Sequence, residues 1–128
     1  MAQVKIYGLS DHLEEVRAEL SDVIHSCLMD ALELPADKRF QRFVGLESDT
    51  FIYPASRSER YTILEISMFE GRSVESKKQL IRLLFERCGA LGVAESDLEI
   101  TIFETPKQNW GIRGVPGDEL DLSYKVEV

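Results

Sequence analysis

Tyr61-Thr62-Ile63-Leu64-Glu65-Ile66-Ser67-Met68-Phe69, continuing through Glu70-Gly71-Arg72-Ser73 into Val74 to Glu86, is the stretch whose reading decides the fold. Leu64, Ile66 and Met68 alternate among β-branched and aromatic neighbours, which predicts a strand buried on one face and partly covered on the other. Ser73 can accept from the first free N–H groups of a helix carrying Val74, Lys77, Leu80, Ile81, Leu84, Phe85 and Cys88, whose apolar members recur at three and four and form one sheet-facing stripe. Between strand and helix lies a short turn bearing Arg72. Two readings of that arginine stand side by side: a solvated turn residue, or an anion ligand where a guanidinium and helix N-terminal N–H groups converge.

Composition narrows the partners. The 128-residue chain is 44% hydrophobic and 30% charged, which fits one folded domain spanning 1–128 rather than a disordered chain or a membrane protein. A net charge of −8 argues against nucleic acid and anionic membrane, so any anion must meet a local basic pocket. No apolar run reaches the length of a membrane span, and residues 1–10 lack the basic start and apolar centre of a secretion signal, so the expected location is cytoplasmic. Cys27 and Cys88 fall on helix stripes, where small apolar packing is expected. His12 and His25 fall outside the apolar stripe, without ligand-spaced partners, and are expected at the surface. No metal and no cofactor are expected.

Working outward, Val4 to Tyr7 reads as a first strand. A long helix follows from Ser10 and Asp11 to about Leu32, with Glu14 placed as in a capping box. Pro35 ends the helical region. Phe40 to Leu46 is a second strand, with Arg39 and Arg42 bracketing its start as an exposed basic edge. Phe51-Ile52-Tyr53 is either a short edge strand or a packed loop. Beyond the second helix, Ala94 to Asp97 fits a single helical turn and Leu98 to Glu104 a strand. A Gly- and Pro-rich segment, Pro106 to Glu119, holds the only tryptophan, Trp110. Tyr124 to Val128 reads as a last short strand.

The order is a doubled β-α-β unit: an α+β, two-layer fold with a four-stranded sheet and two helices on one face. Two helices leave the other face bare, and Phe43, Ile63 and Phe103 are expected there. A bare apolar face predicts a second copy of the chain as partner.

Several segments in order resemble the tautomerase superfamily, the group that includes 4-oxalocrotonate tautomerase, malonate semialdehyde decarboxylase and macrophage migration inhibitory factor. They are Leu34-Pro35-Ala36-Asp37-Lys38-Arg39-Phe40, Glu70-Gly71-Arg72-Ser73 and Asn109-Trp110-Gly111-Ile112-Arg113-Gly114. The likeness is greatest to the longer-chain, decarboxylase-like members. It implies a homotrimer with sheets around a central barrel and active sites near subunit boundaries. In this family an amino-terminal proline nitrogen, exposed by loss of Met1, acts as base or nucleophile; here Ala2 stands at that position. A free Ala2 amine would be the corresponding base, although retained Met1 would make that nitrogen an amide.

By the same resemblance Arg72 is a carboxylate clamp, with Arg113 or Arg39 as a possible second cation. Glu70 stands where the decarboxylases have another arginine. The acidic residue that activates water falls at Lys38, with Asp37 one position away as its candidate. Trp110 corresponds to the aromatic wall of the pocket, or equally to a core or trimer-contact residue. The implied chemistry is acid–base conversion of a small keto or enol carboxylate, as a tautomerase, decarboxylase or hydratase. The alternative is a catalytically silent trimer acting as a binding or interaction protein.

Overall fold

The structure, a computed structural model, describes residues 1–128. Its elements are β1 (Ala2–Leu9), α1 (Ser10–Leu32), β2 (Gln41–Leu46), β3 (Thr62–Phe69), α2 (Val74–Ala90) and β4 (Leu98–Thr105). A small hairpin, β5 (Gly111–Ile112) and β6 (Val115–Pro116), follows. The four long strands form one sheet in the order β2-β1-β3-β4. β1 runs parallel to β2 and antiparallel to β3, and β3 runs parallel to β4, so each β-α-β unit contributes one parallel pair.

The alternation read in the deciding stretch holds through all of β3. Thr62, Leu64, Ile66 and Met68 point to the helix layer and are buried. They join Val4 and Ile6 of β1, Leu20, Ile24 and Cys27 of α1, and Leu80, Leu84 and Cys88 of α2 in a single core. The helices are also tied by Arg87, which donates to Ser26 Oγ at 2.9 Å and Asp30 Oδ2 at 2.7 Å. Ser73 caps α2 as expected, accepting from Ser76 N at 3.1 Å. α1 instead starts after Leu9 with no side-chain cap. No helix is long and apolar enough to cross a membrane.

Several expectations are corrected. Phe43 is in register with Ile6 and packs into the helix-side core, so it does not belong to the bare face. That face carries Lys5 and Glu65, 4.0 Å apart, among Tyr7, Ile63 and Phe103, and is more polar than the sequence suggested. Val74 at the head of α2 is exposed, outside the buried stripe.

Both histidines are buried rather than superficial. His25 Nε2 donates to Ala36 O at 3.0 Å, fastening the α1–β2 connection, and His12 Nε2 bonds Thr62 Oγ1 at 3.1 Å. Each ring makes one polar contact inside the fold, which the apolar periodicity alone does not register. Phe51 to Tyr53 is a packed loop: Phe51 stacks on Tyr61 with ring centroids 5.5 Å apart. Residues after Glu119 form no strand.

Candidate active site

Strand β3 ends at Phe69 beside the start of β1, because the antiparallel pairing sets Ala2 opposite Met68. Phe69 N donates to Met1 O at 3.3 Å, which holds the first residue of the chain against the end of the central strand. The turn then reverses toward α2 through Gly71. Its φ of 129° is unfavourable for any side chain, and a Cβ there would meet Val126 Cγ1 at 3.1 Å.

That turn carries Arg72 inward. The residue is only 5% exposed, so the reading as a solvated turn arginine is wrong. Its Nη1 donates to Phe69 O at 3.2 Å, while Nε and Nη2 are buried without any partner. Burial lowers the pKa of this guanidinium from its usual range, while nearby Tyr124, Glu127 and Glu104 oppose the shift. Nε and Nη2 of this desolvated guanidinium are the kind of donor pair that a planar oxyanion satisfies.

Next to it is the α-amine of Met1. Burial, then the charges of Arg72 and Lys107, push its pKa from 8.0 down to about 5, so at neutral pH it is an uncharged amine able to accept a proton. With Met1 in place, the nitrogen of Ala2 is a peptide nitrogen at the head of β1.

The C-terminal quarter closes over this pair. Trp110 meets Phe69 edge to face, with centroids 5.2 Å apart and planes at 82°. Met1, Phe69 and Val126 form a small buried cluster, against which Trp110, Ile112, Leu122 and Tyr124 pack. Arg113 and Gly114 both adopt positive φ, 50° and 87°, in the two-residue turn of the β5–β6 hairpin. Arg113 is exposed at that tip; burial raises the pKa of the Tyr124 phenol, and the charges of Arg72 and Arg113 work against that rise. Beyond it the tail bends back as a strap: Val128 O accepts from Ser73 Oγ at 3.2 Å, and Lys107 Nζ lies 3.8 Å from Glu127 Oε1.

Thus Arg72, the start of β1 and Trp110 come together, and Arg113 stands at the margin. Asp37 and Arg39 are engaged elsewhere. Asp37 has a 77% exposed side chain 3.8 Å from Lys38 Nζ, and Arg39 bonds Asp22 on α1 at 2.6 Å. Lys107, Tyr124 and Val126 were not singled out from sequence. The alternation of Leu122, Tyr124 and Val126 was the signal for the last two, and it marks a segment packed side chain to side chain without a ladder partner; Lys107 had none.

A family model described as "Tautomerase enzyme" matches residues 38–113, more than half of the chain. The chain belongs to the tautomerase family. Among relatives, the 2-hydroxymuconate tautomerase of Comamonas testosteroni is 43% identical over 60 residues, covering 44% of this chain and 90% of that protein. The probable tautomerase YusQ of Bacillus subtilis (strain 168) is 26% identical over 116 residues, covering 86% of this chain and 91% of that one. Among solved structures, FG41 malonate semialdehyde decarboxylase inhibited by 3-bromopropiolate aligns with a TM-score of 0.76 and 29% identity, over 85% of this chain and 87% of that chain. A native fused 4-OT shares the fold with a TM-score of 0.80 at 20% identity, over 92% of this chain and 98% of that chain. Another fused 4-OT of the same fold is described as an asymmetric trimer.

Proposed function

We propose that this tautomerase-family chain is an acid–base enzyme acting on a small keto or enol carboxylate, working as a homotrimer. Arg72 takes the carboxylate through its two unused nitrogens. The α-amine at the head of β1, Met1's here and Ala2's where Met1 is removed, moves the proton beside the carbonyl. Trp110 walls the pocket and Arg113 supplies a second cation from the hairpin tip. Arg39 and Asp37 belong to this reading only through contacts made between subunits.

The observation that carries the proposal is the neighbourhood of an uncharged amine and a buried, unsatisfied guanidinium. Together they offer a base and an anion anchor without a metal or cofactor. Turnover of phenylenolpyruvate or 2-hydroxymuconate, followed by absorbance, tests it. Activity should fall about 10²-fold or more on acetylating the amine, and similarly in Arg72→Met. Equal turnover by the acetylated protein refutes the assignment of the base.

A second reading, a silent binding trimer, is favoured by three features. Ala2 replaces the family's proline, Glu70 is exposed at the turn, and Asp37 faces solvent. An inactive wild type, combined with activity in Ala2→Pro after removal of Met1, establishes that reading over the first.

A further inference from the structure

At the end of the sheet far from Arg72, where β1 and β2 finish and the chain enters β3, lies a cavity of about 390 Å³ that the proposed chemistry does not use. His12 forms part of its wall although the residue is only 6% exposed. The tautomer of His12 is fixed by its neighbours. Thr62 Oγ1 donates to Arg60 O at 2.9 Å and must therefore accept from His12, so Nε2 carries the hydrogen. Nδ1 makes no hydrogen bond within the protein and, unlike Nδ1 of His25, is not sealed from solvent. A largely buried ring with an accessible lone pair on the cavity wall offers an acceptor to a donor group on a ligand.

The rest of the lining names the donor's charge. Asp11 and Glu15 approach from the first turn of α1, Glu47 from the end of β2, and Glu59 from the connection into β3. Arg60 is the one cation on the lining, and its guanidinium reaches toward Gly92, where an added Cβ would stand 3.3 Å from Nη1. The uncapped start of α1 would by itself favour an anion, but four carboxylates against one guanidinium outweigh a helix dipole of about half a charge. Leu9 and Leu46 give the cavity a small apolar wall.

We propose that this cavity binds a small organic ammonium ion, whose N–H groups are shared between His12 Nδ1 and the surrounding carboxylates while its carbon chain lies on Leu9 and Leu46. Burial, then Arg60, keep the His12 pKa below its ordinary value despite the opposing charges of Glu15, Asp97 and Glu59, so Nδ1 is a free acceptor at neutral pH. Binding weakens as pH falls through the His12 pKa, because imidazolium loses the acceptor and repels the ligand.

The test is an NMR titration of the two histidine side chains at constant ionic strength, with 1,4-diaminobutane as probe and 1,4-butanediol and sodium acetate as controls. Saturable movement of the His12 Nδ1 resonance is expected with the diamine alone, with His25 unmoved. The exposed pair Glu47→Gln and Glu59→Gln, combined, should raise the dissociation constant about three- to tenfold while leaving His12 to report it. An equal response to the diol or to acetate, an unsaturable drift, or no response of His12 overturns the proposal. None of these outcomes bears on Arg72.

Discussion

Replacing Arg72 with methionine should raise the pKa of the Met1 amine without returning it to 8.0. Burial is the larger cause of its fall to about 5, and it persists when the guanidinium is gone. The consequence for a base at pH 7 is large. An amine of pKa near 5 is about 99% uncharged there, whereas one of pKa near 8 is about 9% uncharged. The same shift is a statement about stability. At about 1.4 kcal/mol per pKa unit it has a ceiling of about 4 kcal/mol, and a terminal residue that frays into water, partly screened, should realise about 1–2 kcal/mol of it. The sign follows from the direction. The folded amine is neutral and the unfolded one protonated between the two pKa values, so stability is full above pH 8 and declines as pH falls toward 5. Protein labelled with ¹⁵N-methionine gives the amine titration directly, and urea denaturation at pH 8 and 5.5 gives the stability. N-terminal acetylation should remove that part of the slope. A wild-type midpoint near 8, or one unchanged in Arg72→Met, refutes the reasoning.

Other consequences concern the frame around the site. Burial pushes the Cys88 thiol up to about 12 and raises that of Cys27, so neither should react with Ellman's reagent at pH 8 until the protein is unfolded, when both should. Gly117→Ala would set a Cβ 2.5 Å from Lys107 O and 3.0 Å from the Phe69 ring, costing about 1–3 kcal/mol and red-shifting Trp110 emission as the loop lifts. Asp97→Ala strands Ser58, whose backbone N donates to the carboxylate at 2.7 Å; about 1–3 kcal/mol should be lost in urea denaturation, with the β2–β3 connection becoming the first site of proteolysis.

The framework was legible because its signals are local. Period-two burial in β3, the Ser73 cap and the four-residue spacing of Leu80, Leu84 and Cys88 each follow from positions a few residues apart. The burial of Arg72 was not legible in the same way. Nothing in Glu70-Gly71-Arg72-Ser73 distinguishes a turn arginine in water from one folded under a strap that begins some fifty residues later in the chain. Phe43 went to the wrong face because a parallel pair takes its facing from its neighbour's register, here Ile6, rather than from its own composition. The histidines were misplaced because the polar partner of each ring, Thr62 for His12 and Ala36 for His25, lies outside the helix and leaves no trace in its spacing. Tyr124 to Val128, expected as a short strand, packs through Tyr124 and Val126 instead, because a sequence pattern alone cannot say whether backbone ladders or side-chain packing will hold a segment.

The two unusual groups of the site oppose each other, and that opposition has a measurable consequence. Arg72 lowers the amine's pKa, so a carboxylate placed on Arg72 should cancel part of that influence and raise it again. Binding of a small carboxylate should then draw a proton from solution whenever the pH lies near the amine's pKa. Calorimetric titration with phenylpyruvate at pH 5.5, in buffers of different ionisation enthalpy, should show net uptake of a fraction of a proton per site, fading toward pH 8 where the amine is neutral in both states. The uptake should vanish after N-terminal acetylation, while binding through Arg72 remains. Binding with no buffer dependence at pH 5.5 would place the acid away from the amine, and would leave the guanidinium as an anchor without a base.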